Sequence, residues 1–416
     1  RTLAKITRRL IPFMFALYVV NYLDRINVGF AALQMNRALN FTPEVFGFGA
    51  GLFFVGYFFL EIPSNLILER VGARFWIARI MISWGIVAAA TAFVRGAASF
   101  YALRLILGMA EAGFFPGMIL YLTGWFPPRE RARAVALFMT ATALAGVIGG
   151  PLSGGILTLH HLWGLAGWQW LFLIEGVPAV MLGVLVMFWM TDSPADAAWL
   201  LPEERDWLMR ELGSERGLQE KHVRLTAALS DSRIWLLSLL YFAIVTAGYG
   251  ISVWLPQIIK AFGGLTDFKV GLISAIPFLI AAVAMVIVGA SSDASGERRW
   301  HLGASMAIGA GALAACAWTH SPAAELAALS LGAAGVWGAL GPFWSIPPSF
   351  LGGTAAAGGI ALINSLGNLG GFAGPYLMGV ARQTTGSYNA GLLVFAVILG
   401  FALLIVIPNA RLAHVA

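Results

Sequence analysis

Stretches of about twenty apolar residues, separated by short polar segments, recur along the chain from near Leu10 to near Asn409. A helix of that length spans the hydrocarbon core of a bilayer. In lipid the backbone must satisfy its own hydrogen bonds, which a helix does within one segment. The repeat therefore restricts the chain to a bundle of membrane-crossing helices. Six spans are expected near 10–33, 46–68, 75–94, 98–124, 134–158 and 168–190, and six more near 234–259, 269–291, 300–319, 323–349, 353–381 and 388–409. Only 11% of the residues are charged, against roughly 25% in soluble domains. The expected fold is an all-α membrane protein with twelve transmembrane helices in two six-helix halves, 1–191 and 234–416. Between them 192–233 carries nine acids and six bases and is expected to be a cytoplasmic linker with a surface helix at "LPEERDWLMREL".

The net charge of +6 does not form a nucleic-acid-binding groove, because the basic residues mark loops. Outside the linker, one side of the membrane receives twelve Lys and Arg, from the N-terminal Arg1, Lys5, Arg8 and Arg9 to Arg411; the other receives five. The positive-inside rule then places both termini in the cytoplasm of a multi-pass inner (plasma) membrane protein. The first apolar segment is too long and too charged for a cleavable signal peptide. The single Cys316 can form no intrachain disulfide and is expected in packing.

An internal duplication organises the chain. Glu69 and Gly72 match Asp293 and Gly296 at an offset of 224, and Gly146-x-x-x-Gly150-Pro151 matches Gly370-x-x-x-Gly374-Pro375 at the same offset. Two motifs sharing one offset imply two parallel halves, a signature of secondary transporters with a site between the halves. The loop residues Glu69, Arg70, Gly72 and Arg74, with Asp293, Gly296 and Arg298, are expected to form tight latches at helix ends. The offset also isolates function: Asp24, Arg25, Arg104 and Glu111 map onto Gly248, Tyr249, Ala328 and Gly335. The second half keeps none of these charges.

Those charges are costly in a membrane. Each costs about 2.5–3.5 kcal/mol at the centre of an inserting helix. Arg104, Gly108 and Glu111 lie at i, i+4 and i+7 on one stripe, with Glu111 about 10 Å deeper than Arg104. A carboxyl among apolar neighbours readily takes up a proton, which suits a proton carrier. Asp24 stands beside Arg25, which favours its ionised form unless an incoming anion competes; Asn21 and Asn27 flank the pair. Two readings stay open: an anion site with a proton carrier, or a permanent salt bridge locking spans 1 and 4. Glu61, one turn from Tyr57, is either a second titrating group or a structural partner for a helix end, and Glu175 is read as structural. Candidates in the second half are neutral: Tyr249, Ser252, Ser345, Asn364 and Asn368, the last two on one face. Such groups bind substrate hydroxyls or tie helices together. The histidines show no metal spacing, and neither a Walker loop nor a G-x-S-x-G elbow occurs. No metal, cofactor or enzyme activity is expected.

The strings "NYLDRINV", "GYFFLEIPSNLILERVGARFWIARIMISWGI", "LGMAEAGFFPGMILYLTGWFPPRERARAVALFM", "GWQWLFLIEGVPAV" and "GTAAAGGIALINSLGNLGGFAGPYLMG" resemble the major facilitator superfamily, and within it the anion:cation symporter family. The resemblance implies the major facilitator fold and uptake of an organic anion with protons; related bacterial branches carry tartrate, phthalate, hydroxyphenylacetate, nicotinate and sugar acids. It implies proton coupling by Asp24 and Glu111, a carboxylate on Arg25, and a site lined by Tyr22 and Tyr57. Two departures stand out. Glu69 replaces the usual Asp of the loop motif, and Thr142 replaces the larger amide of sugar-acid carriers. The expected partners are a small carboxylate, protons and the lipid bilayer, with no nucleic acid, and a monomer suffices. An exporter is the main rival, because the Gly146 to Gly155 segment resembles most of a drug-antiporter motif. A non-transporting sensor is a second rival, but the linker is too short for a signalling domain.

Overall fold

The computed structural model describes residues 2–216, 231–319, 321–347 and 353–406. Arg1, Arg411 and the middle of the expected linker, 217–230, lie outside the described residues. The first half comprises α1 (Thr2–Ala38), α2 (Pro43–Val71), α3 (Ala73–Ala90), α4 (Ala97–Glu111), α5 (Phe114–Thr123), α6 (Pro128–Ile156) and α7 (Gly167–Trp189). After it, α8 (Pro202–Arg216) lies on the first half, buries Leu208 and pairs Glu204 with Lys5 of α1 at 2.8 Å. The second half holds α9 (Ser232–Lys260), α10 (Asp267–Ser295), α11 (Arg299–Ala315) and α12 (Pro322–Gly338). It ends with α13 (Leu340–Ser345), α14 (Gly353–Asn368), α15 (Gly370–Thr385) and α16 (Tyr388–Val406).

Ten spans among the described residues are long and apolar enough to cross a membrane. The first and eleventh complete the twelve. Asp24, Arg25 and two asparagines dilute the apolarity of α1, and the eleventh span is divided between α14 and α15. Span 4 is also divided. Its first piece ends at Glu111, because Ala112 leaves the helical region and Gly113 adopts φ 87°. Pro116 cannot donate to the carbonyl one turn back, which makes the interruption inexpensive.

The duplication is visible in local structure. Thr42 caps α2 by accepting from the Val45 amide at 3.2 Å; Thr266 caps α10 by accepting from Lys269 at 3.3 Å. Each of these positions is 224 residues from its counterpart. Such caps satisfy amides that the first helical turn leaves unpaired.

The halves meet along glycine seams on the side opposite the termini. Gly47 of α2 lies against the Pro375 carbonyl of α15, and Gly271 of α10 against the Gly150 carbonyl of α6. A side chain at either position would strike backbone. On the same side Gln34 donates to Asp267 at 2.8 Å and Asn36 to Gln257 at 3.3 Å. Gly29 of α1 abuts Val253 of α9, its own counterpart at the 224 offset. Equivalent residues meet only where a two-fold axis passes between them, so α1 and α9 cross on the pseudo-two-fold axis.

Candidate functional site

Arg25 occupies that axis. Its Nε donates to Glu111 Oε1 at 2.5 Å, and its Nη1 donates to the hydroxyl of Tyr249 at 3.2 Å. Tyr249 is the residue onto which the duplication maps Arg25, so the cation bonds to its own symmetry mate. The break in span 4 sets Glu111 at the last turn of α4, where its carboxylate reaches α1. Around the pair, Tyr57 and Phe53 of α2 offer ring faces 5.1 and 5.5 Å from the guanidinium carbon. Phe54 packs on Tyr249 at 4.4 Å. A guanidinium on aromatic faces keeps its charge stabilised while losing water.

Arg104 sits two turns before Glu111 on α4 and is 2% exposed. Its guanidinium also lies on Phe53, at 5.1 Å, and its Nη2 donates to the Ala50 carbonyl at 3.2 Å. Arg104 Nε and Nη1, Arg25 Nη2 and Glu111 Oε2 have no hydrogen-bond partner among the described residues. Buried charged donors without acceptors are rare in folded proteins. Here they collect around one ring at the interface of the halves.

Asp24 departs from the expected pairing. Adjacent residues on a helix point about 100° apart, so Asp24 turns from Arg25 into the first half. Its Oδ2 accepts from Trp84 Nε1 at 2.5 Å and its Oδ1 from Asn27 Nδ2 at 3.1 Å. Arg25 pairs instead with Glu111, an ion pair between spans 1 and 4 of the kind the salt-bridge reading describes. Trp84 was not among the sequence candidates. Its signal was a tryptophan in mid-span, whose indole N–H needs a partner when buried. Asn27 bonds Asp24, whereas fully buried Asn21 finds no partner among the described residues.

Across the axis, Tyr22 and Thr142 line a cavity of about 10 Å³ with Phe278, Ala281, Met285 and Trp337. That volume holds about one water. Thr142 donates to its own helix, at Met139, as does Ser345 at Gly341. Asn364 reaches another partner than a ligand: its Nδ2 donates to Glu61 Oε1, and Ser365 donates to Glu61 Oε2, both at 2.7 Å. Glu61 thus ties α2 to α14 across the halves, the structural alternative for that acid. Asn368 lies one turn further along α14, half-buried.

The latches differ between the halves. Arg74 donates its amide to Asp192 at 2.8 Å and pairs its guanidinium with the same carboxylate at 3.6 Å. Asp192, just past α7, escaped the sequence reading; Glu69 and Arg70 are exposed. In the second half Arg298 pairs with Asp293 at 2.6 Å, within its own loop, beside Gly296 at φ 68°. Among the described residues no cluster of His, Cys, Asp or Glu suits a metal ion.

Comparison with known proteins agrees with this architecture. The model of the Major Facilitator Superfamily matches residues 14–375. The "Putative tartrate transporter" of Agrobacterium vitis is 50% identical, covering 99% of this chain and 92% of that protein. The "Quinolone resistance transporter" of Acinetobacter baumannii is 41% identical, covering 96% and 93%. Among solved structures, a bacterial homologue of the human lysosomal transporter Spinster, inward-facing and occupied, superposes with a TM-score of 0.81 at 16% identity, covering 97% of this chain and 96% of that one. The chain is a multi-pass membrane transporter, not an enzyme, and it belongs to the Major Facilitator Superfamily.

Proposed function

We propose that this transporter is a proton-coupled symporter that imports a small organic anion, with a hydroxy-dicarboxylate such as tartrate as the preferred class and an aromatic acid next. The observation that carries this reading is the pair of arginines sharing Phe53, Arg104 buried and Arg25 partly so, with three buried nitrogen donors left for an acceptor. A planar carboxylate takes two parallel guanidinium N–H bonds, and two guanidiniums seat two carboxylates. The 50% identity to the tartrate-named relative supports the same class. With both termini cytoplasmic, the glycine seams close the periplasmic side, and substrate meets Arg25 and Arg104 near the midplane, as alternating access requires.

Coupling follows from the observed pairing. An arriving carboxylate competes with Glu111 for Arg25. Once displaced, the Glu111 carboxylate is buried without a cation, a state that protonation relieves. Substrate and proton are then held together, and neither is held well alone. Asp24 is the second coupling carboxyl, kept apart from the anion by its turn toward Trp84.

The test is uptake of labelled L-tartrate into proteoliposomes under an imposed pH gradient. Wild type is expected to accumulate tartrate until a protonophore is added. Glu111→Gln is expected to lose accumulation at least ten-fold more than it loses tartrate exchange. Undiminished accumulation by that variant overturns the coupling role. The exporter reading draws on the quinolone-resistance relative and the Gly146–Pro151 segment. Inside-out vesicles under the opposite gradient distinguish it, since only an antiporter fills them with drug.

A further inference from the structure

Among the described residues, two side-chain hydrogen bonds join the halves opposite the termini, and the one on Asp267 is part of a larger node. Gln34 of α1 is committed at both ends of its amide. Its Oε1 accepts from the Trp168 amide of α7 at 3.2 Å. Its Nε2 donates to the Leu157 carbonyl, at the end of α6, at 3.1 Å and to Asp267 Oδ2 of α10 at 2.8 Å. A backbone N–H on one side and a backbone carbonyl on the other fix which way this amide faces. Gly167 permits the approach, since a methyl group there would meet the Leu157 carbonyl and Gln34 Oε1.

The other oxygen of Asp267 is held within its own half. Lys260, in the last turn of α9, donates to Asp267 Oδ1 and to the Leu265 carbonyl, both at 2.7 Å. Every bond in the node except Gln34 to Asp267 therefore stays inside one half. Rocking the halves apart on this side breaks that one bond and leaves both partners oriented to remake it. The bond is charge-assisted and thus stronger than the neutral Asn36 to Gln257 contact at 3.3 Å.

The duplication shows that the node is no part of the shared fold. Asp267, Gln34 and Lys260 map onto Pro43, Ile258 and Asn36. Pro43 has no side-chain acceptor, and Ile258 is buried and apolar. The other carboxylate that ties the halves, Glu61 with Asn364 and Ser365, lies toward the termini and involves α2 rather than α10. The two acids thus sit on opposite sides of the membrane and on different interfaces between the halves.

We propose that Asp267 is a positioning residue for transport, which with Gln34 locks the halves together opposite the termini and is opposed by the Glu61 tie on the other side. Breaking the Gln34 to Asp267 bond favours the state open away from the termini. Breaking the Glu61 tie favours the state open toward them. The proposal rests on the alternating access of the reading above, and on neither its proton nor its anion.

The test reads orientation without substrate. In full-length protein carrying Cys316→Ala, the reporter is Ser274→Cys, at a fully buried seam position of α10 beside Gly150. Its modification by a membrane-impermeant thiol reagent is followed in vesicles with the reagent on the face opposite the termini. Asp267→Ala and Gln34→Leu should each raise the rate roughly 30-fold, as loss of one hydrogen bond to a charged group allows. The double variant should exceed neither by more than about two-fold, because both remove the same bond. Adding Glu61→Ala should return the Asp267→Ala rate toward that of wild type, a rescue that a merely loosened chain would not show. Should Asp267→Ala fail to fold, Asp267→Asn keeps an acceptor without the charge and should give a smaller rise. Rates indifferent to Asp267 and Gln34, additive effects of the two, or no rescue by Glu61→Ala overturn the proposal. The symport reading fails separately, if wild-type tartrate uptake proves indifferent to the pH gradient while the reporter behaves as described.

Discussion

The α2–α15 and α6–α10 faces are counterparts under the 224-residue offset, and they part company halfway through the membrane. Opposite the termini both are glycine seams, Gly47 on Pro375 and Gly271 on Gly150. Toward the termini α2 is tied instead to α14, the other piece of the same span, by the Glu61 carboxylate accepting from Asn364 and Ser365. The counterparts of these three residues are Met285, Thr140 and Ala141. Met285 only lines a small apolar cavity, and Thr140 bonds its own helix at Leu137. Shape is thus shared by both faces, whereas toward the termini a buried carboxylate is found at one only among the described residues. Close approach of the halves is common to both copies of the fold; the buried Asp24, Arg104 and Glu111 are in one.

Three measurements would break or sharpen that contrast. The largest effect is expected at the seams. Leucine at Gly47 or at Gly271 must displace backbone, at a cost of about 3 kcal/mol, which reduces closure roughly 100-fold. Tartrate uptake and cross-linking of cysteine pairs opposite the termini should fall equally for both variants. Tolerance of one alone would show that the seams are not equivalent. Next, Glu61→Ala removes two hydrogen bonds to a charged group, worth about 2 kcal/mol, and should favour the state open toward the termini by roughly 30-fold. Met285→Ala, at the counterpart position, should change it by less than about three-fold, since the half-buried Met285 loses packing but no hydrogen bond across the halves. Accessibility of a cysteine on the terminal side reads both. Equal effects would deny that charge makes the faces different.

The smallest effects lie in the loops. Gly72 and Gly296 both have positive φ, so alanine at either costs about 1 kcal/mol. Gly72→Ala should cost more, because its methyl group would lie 2.9 Å from the Asp192 carboxylate, while Gly296 has nothing within 4 Å. Thermal unfolding in detergent gives the order. Arg74→Ala, which breaks a solvent-exposed pair, should change stability by less than about 1 kcal/mol. Arg298→Ala should cost more, because that half-buried side chain also donates to Ser292 at 2.9 Å.

Much of the fold was legible because bilayer thickness fixes span length and a repeated offset exposes duplication. The expected single helix through span 4 failed at Ala112 and Gly113, where glycine's freedom combines with the amide that Pro116 lacks; apolarity alone carries no sign of that break. In the site, sequence spacing placed Arg104 and Glu111 on one face of α4 and marked the costly charges. It could not say which neighbour each would meet. Asp24 and Arg25 adjoin in sequence but face different helices, so Trp84 and Glu111 replaced the pairing that adjacency suggested. Asn364 and Ser365 illustrate the same limit: their partner is 303 and 304 residues away, and only the packed halves bring them together.

The contact between Arg25 and Tyr249 has a mechanical corollary. A hinge line is the one place in a rocking body that stays still. If the halves rock as proposed, a guanidinium lying on the symmetry axis between them moves less than the walls on either side, which exchange open and shut. On the proposed function, cargo held by Arg25 would travel little while the membrane, in effect, is moved around it.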